Sequence, residues 1–151
     1  GLKLFGARAV DSMRMEKGFL HWKADLLTEF TPFETSLDRF IKMDKGDFIG
    51  KEALEQRMLD GLRTKLVTMV IDDDIAPAHG GASIMVDGRV IGTVSSGDYG
   101  HRVGKNIAYA FVDPEFAAQG TKFEIDIIGK LTPATVVEQC LYDPTYALMR
   151  S

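Results

Sequence analysis

A chain of 151 residues, 45% hydrophobic and 26% charged, has the make-up of a globular domain; a chain of this size buries roughly 68–70% of its unfolded surface without needing disulfide or metal staples. Its 18 basic and 22 acidic residues leave a net charge of -4, spread evenly: residues 1–61 hold 10 basic and 11 acidic, and residues 62–151 hold the other 8 and 11. No basic face is available for a phosphate backbone, which excludes nucleic acid as a partner, and no apolar run approaches the ~20 residues of a membrane span.

Taken in chain order, residues 6–17 (GARAVDSMRMEK) predict a helix, with Ala7, Val10 and Met13 as an apolar stripe and Gly18 as the stop. Loop signals follow at Thr31-Pro32 and around Asp44 to Asp47. Lys51 to Asp60 predicts a second helix, with Leu54 and Met58 four apart and Gly61 ending it. From about Lys65 the period changes to that of strands. Leu66 to Ile71 is a β-rich run, and Asp87-Gly88 between two apolar runs predicts a two-residue hairpin. Further strands are predicted at 107–112, 122–128 and 134–140, with turns at Gly97, Pro114, Gly120 and Gly129. The fold class is therefore α+β: a helical or mixed lobe over residues 1–61, then a six-stranded antiparallel barrel or sandwich over residues 62–151. The chain opens without Met, mid-pattern, and reads as a piece of a longer protein; no signal peptide is visible at its start.

Little in the sequence carries chemistry by itself. Projected on its helix, Arg14 falls between Ala7 and Val10, and an arginine is almost never fully buried unless paired. Two readings stand: a structural ion pair with Asp11 or with a carboxylate from a nearby loop, or a contact to an anionic or heterocyclic ligand. His21, His79 and His101 lie at no metal-ligand spacing, so no metal site is expected. Asp72-Asp73-Asp74 reads as a solvated loop rather than a cation site. Gly100 to Lys105 is one residue short of a phosphate loop and lacks its Ser or Thr. Trp22 beside His21 is either core or a stacking platform, with core favoured. Cys140 lies in the last strand-like run and reads as a buried, inert thiol suited to a reducing compartment.

The order of motifs goes further. Phe5-Gly6-x-Arg8-Ala9 through Met13-Arg14-Met15-Glu16-Lys17 resembles the "FGxRAxxxxRLEK" block of the C-terminal region of dimethylglycine and sarcosine dehydrogenases. Pro32 to Leu37, Lys45 to Leu54, Asp87 to His101, Val103 to Ala110 and Leu141 to Pro144 resemble five further blocks in the same order. The chain thus resembles the tail of the glycine-cleavage T-protein (aminomethyltransferase) family, with residues 1–61 as the end of a folate-binding core and residues 62–151 as its C-terminal barrel.

The resemblance implies a parent that transfers a one-carbon unit from an aminomethyl or N-methylglycine-derived iminium donor to tetrahydrofolate. FAD would belong only to an upstream domain, in the bacterial cytoplasm or the mitochondrial matrix. It implies Arg14, Tyr99, His101 and Arg150 as folate-binding candidates. The acidic residue near the transferring carbon would lie upstream, leaving this chain inactive alone, with a surface for the rest of the parent or for a homodimer. Two departures stand out, Lys23 and Ser36 at positions where the family has Gly. The alternatives are a non-catalytic docking barrel and a folate-dependent demethylase relative; the cysteine signature of the tRNA-modifying relatives is absent from this chain.

Overall fold

The computed structural model describes residues 1–73 and 76–150. Its frame is a closed barrel of six antiparallel strands in the order β1-β4-β3-β2-β5-β6. The strands are β1 (Lys65–Ile71), β2 (Ser83–Val86), β3 (Arg89–Gly100), β4 (Lys105–Val112), β5 (Lys122–Ile127) and β6 (Lys130–Val137). Helices α1 (Ala7–Glu16), α2 (Lys51–Asp60) and α3 (Ala147–Arg150) lie outside it.

Period-two alternation fills the interior. Val67, Met69 and Ile71 of β1 and Ala108, Ala110 and Val112 of β4 point inward, meeting Ile84, Ile91, Val94, Phe123, Ile125 and Val136 in one core. The opposite face of β4 is buried as well. Ile107 and Tyr109 pack there against Leu66 and Met15 of α1, forming a second, smaller core. Burying a side chain such as Met15 contributes about 1.5–3 kcal/mol, which fixes α1 against the barrel wall.

The Asp87-Gly88 hairpin forms as expected, with both residues at positive φ (49° and 76°). The turn expected at Gly97 does not: β3 runs on to Gly100 and turns at 101–104. Gly97 is small for a packing reason, since a Cβ there would stand 2.1 Å from the backbone oxygen of Ala78. The last strand also shifts, to 130–137, so Cys140 lies beyond it and is only half-buried. Asp74 of the acidic run is outside the described residues; Asp72 is exposed, while Asp73 pairs with Lys130 at 2.8 Å.

Helix α1 faces the opposite way from its apolar stripe. Val10 and Met13 are 48% and 49% exposed, and the barrel-facing side carries Ser12, Met15 and Glu16. The reason is local bonding at the barrel rim. Ser12 Oγ donates to the Tyr99 carbonyl at 2.6 Å, and the Glu16 carboxylate accepts from the Arg102 and Val103 amides. The phosphate-loop look-alike is thus an anion-accepting turn whose anion is internal. Glu16 pairs with neither Lys17 nor Arg14. Lys17 instead reaches Asp143 at 3.0 Å and ties down the C-terminal tail.

The loop between α1 and α2 is held by a reciprocal box. Thr31 donates its backbone N–H (2.7 Å) and hydroxyl (2.9 Å) to the Glu34 carboxylate, and the Glu34 carbonyl accepts from the Leu66 amide of β1 at 2.7 Å. Burial pushes the Glu34 carboxyl up, but the Thr31 donors, the Arg63 amide and the Arg63 charge outweigh it and hold it below its ordinary value of 4.5. Lys23 and Ser36 both sit at left-handed φ, 70° and 59°, the geometry a glycine adopts freely.

Two outcomes follow from this packing. Gly97→Ala should destabilise the chain by about 1–3 kcal/mol through overpacking, read as a lowered urea midpoint, whereas Gly46→Ala, which meets open space, should not. A depressed carboxyl contributes stability that is fully present above its ordinary value and lost as pH falls through the folded one. Acid melts between pH 6 and about 3 should therefore lose less stability in Glu34→Gln than in the wild type.

Candidate functional site

The polar centre of the molecule is a buried carboxylate that the sequence did not mark. Asp25 is 0% exposed and has both oxygens engaged. Oδ2 accepts from Arg14 Nη1 at 2.8 Å and from the His21 amide at 2.8 Å. Oδ1 accepts from the hydroxyls of Ser95 at 2.6 Å and Ser96 at 2.7 Å. Consecutive strand residues normally point to opposite faces. Both serines reach one oxygen because β3 carries a bulge between Val94 and Ser96, so two residues occupy one step of the ladder with β4.

Arg14 is correspondingly constrained. Its Nε donates to Asp11 at 3.1 Å, Nη1 to Asp25 and to the Phe19 carbonyl at 3.4 Å, and Nη2 to Ser96 Oγ at 3.1 Å. A guanidinium has five N–H groups, so one N–H of Nη2 is left without a protein acceptor among the described residues. Of the two readings for Arg14, the loop-carboxylate pair is present, and a single donor remains to spend elsewhere. Behind it, the Tyr109 ring lies 5.8 Å from the guanidinium carbon and its hydroxyl donates to the Met15 carbonyl at 2.9 Å. Burial pushes that phenol far above its ordinary range, so it stays a donor.

The 21–26 segment is a tight loop closed on itself, the Asp25 and Leu26 amides both donating to the His21 carbonyl. It presents Trp22 outward, 58% exposed, which corrects the expectation that this indole is core. His21, Arg14, Asp11, Ser96 and Asp98 line a cavity of about 240 Å³. A neighbouring cavity of about 320 Å³ is lined by Arg8, Ser12, Glu16, Asp98, His101 and Arg102. Arg8 and Asp98 belong to both. The structure therefore brings Arg14 and His101 to adjoining cavities between α1 and the end of β3. Tyr99 stands beside them, its ring edge-on to His101 at 5.1 Å. Arg150 is exposed on α3, and no hydrogen bond or ion pair joins it to the other three among the described residues.

Comparison with known proteins gives the chain its family. The pattern of the glycine cleavage T-protein C-terminal barrel domain matches residues 64–143, and that of the GCVT N-terminal domain matches residues 1–45.

The chain belongs to the glycine cleavage T-protein family.

The chain is 36% identical to the mitochondrial dimethylglycine dehydrogenase of Rattus norvegicus, covering 96% of this chain and 17% of that protein. It is 36% identical to the aminomethyltransferase of Thermoanaerobacter pseudethanolicus, covering 97% and 39%. A crystal structure of the glycine cleavage system aminomethyltransferase T from Bartonella henselae matches with a TM-score of 0.78 at 26% identity, over 87% of this chain and 39% of that one. The chain thus spans well under half the length of the curated relatives it matches. No helix among the described residues is long and apolar enough to cross a membrane.

Breaking a buried pair costs about 3–5 kcal/mol because it strands a charge. Arg14→Ala should therefore lower stability by about 3 kcal/mol, and adding Asp25→Asn should recover part of the loss. Equilibrium urea unfolding of the two variants and the wild type measures both steps.

Proposed function

We propose that this chain supplies one wall of a tetrahydrofolate site in a larger one-carbon-transfer protein of the aminomethyltransferase and dimethylglycine or sarcosine dehydrogenase kind. In this reading residues 1–61 end the folate-binding core and residues 62–151 form the barrel that backs it. The observation that carries the proposal is Arg14: a guanidinium locked in orientation, with one N–H unspent, in a cavity shared with His21, whose loop also presents the exposed Trp22.

A pterin is a flat heterocycle with carbonyl and ring-nitrogen acceptors, so it suits a fixed donor, with an exposed indole on the adjoining loop available for stacking. The two cavities between α1 and β3 are too small to enclose a whole folate, in keeping with a wall rather than a complete site. His101, with Arg8 and Arg102 around the second cavity, suits the anionic glutamyl end; Tyr99 lies behind His101, and Arg150 is offered as an outlying cation of the tail. Tetrahydrofolate supplies the nitrogens that accept the one-carbon unit. This chain's residues bind and orient it, and the group acting at the transferring carbon is assigned to the preceding part of the parent, as is any FAD. The methylated amine donor, the parent chain and a home in the bacterial cytoplasm or mitochondrial matrix complete the reading.

A second reading, a docking barrel without folate contacts, draws on one observation: the outward stripe of Val10 and Met13, with Leu4 and Phe5 exposed beside it in sequence.

Calorimetric titration with 5-formyltetrahydrofolate discriminates the two. The folate reading expects saturable binding that Arg14→Ala weakens about 10- to 100-fold, the range for a hydrogen bond to a charged group, with smaller losses for His101→Ala. Heat indistinguishable from dilution across the titration would leave the docking reading in possession.

A further inference from the structure

The carboxylate of Asp25 does two jobs at once. It fixes the Arg14 guanidinium, and through the His21 amide it pins the loop that carries His21 and Trp22. All its hydrogen bonds run to the protein, two at each oxygen, and the residue is sealed from solvent. It therefore has no contact to offer a ligand, and whatever it does for binding it does through Arg14 and the loop.

We infer that Asp25, aimed by the Ser95 bulge, is the positioning residue of this site, holding the arginine and the aromatic loop in a single binding-ready arrangement. The inference rests on the folate reading above. An arginine left free loses up to ~2 kcal/mol of rotamer entropy when a ligand immobilises it. Here that ordering is complete before any ligand arrives, which is what preorganisation contributes to affinity. The loop is under the same control. Lys23 sits at φ 70° at its tip, a conformation costing roughly 1–2 kcal/mol for a residue with a side chain, so the loop depends on its anchor to keep that shape. The two serine hydroxyls complete the device. They donate to Oδ1 and turn Oδ2 wholly over to Arg14 and the loop amide.

The chain contains one tryptophan, Trp22, so its emission reports on this loop alone. The experiment compares wild type, Asp25→Asn, Ser95→Ala, Arg14→Ala and the Arg14→Ala/Asp25→Asn double variant. Each is checked for folding by circular dichroism, then measured for acrylamide quenching of Trp22 and for calorimetric affinity towards 5-formyltetrahydrofolate. Asp25→Asn should weaken binding at least 10-fold and alter Trp22 quenching before any ligand is added. Ser95→Ala, which keeps the ion pair, should weaken binding about 3-fold and keeps the test open if Asp25→Asn fails to fold. The double variant should bind with less loss than the product of the two single losses, since both act through one unit. Wild-type binding that is undiminished in Asp25→Asn, or in Ser95→Ala where the first does not fold, would overturn the positioning role alone. Absence of binding by the wild type would overturn the folate reading, and the positioning role with it.

Discussion

A carboxylate cannot be stored in a protein interior unless every lone pair it turns inward has a donor, and the geometry of this molecule around α1 follows from that requirement at Asp25. Arg14 must come from the helix, two hydroxyls must come from the barrel, and an amide must come from the loop itself. A helix, the loop that follows it and a strand 70 positions further on are thereby brought to one point. Remove the bulge in β3 and one hydroxyl turns away; turn α1 by one residue and the guanidinium leaves. The orientation of the helix, the irregularity of the strand and the shape of the loop are one solution to one electrostatic demand.

Much of the barrel was legible in the sequence because its signals are local. The short β-rich runs at Leu66 to Ile71 and Ile107 to Val112, and the Asp87-Gly88 turn, need only neighbouring residues to declare themselves. The errors came where distant backbone decided. Gly97 reads as a turn until the Ala78 carbonyl is known to lie against it. The stripe of Ala7, Val10 and Met13 reads as the buried face until the rim of the barrel offers Ser12 an acceptor and Glu16 two amides. Burial of α1 follows bonding opportunity more than hydropathy, which no helical projection can register.

The candidate site was half visible. Arg14 stood out because an arginine amid apolar neighbours needs a partner, and the family motif strengthened it. Asp25 carried no such mark, since a lone aspartate in a loop is ordinary in composition; the signal that would have found it is the adjacent Ser95-Ser96 pair, if a bulge in β3 had been anticipated. Lys23 and Ser36 stood out in the sequence as departures from glycine. Both adopt left-handed backbone in this structure, the conformation that glycine takes most freely.

The contacts that make the site also close long stretches of chain. Arg14 meets Ser96 across 82 positions, Ser12 meets Tyr99 across 87, and Tyr109 meets Met15 across 94. Closing long loops is entropically expensive and is repaid only once both ends are ordered. Hairpins such as β2–β3 can form early, whereas the guanidinium is captured only after β3 and β4 have paired and α1 has come back to lie on them. A nascent or partly unfolded molecule holds the same arginine with nothing to aim it. The fixed orientation of Arg14 is in this way a report on completed folding, absent from any molecule whose barrel has not finished closing.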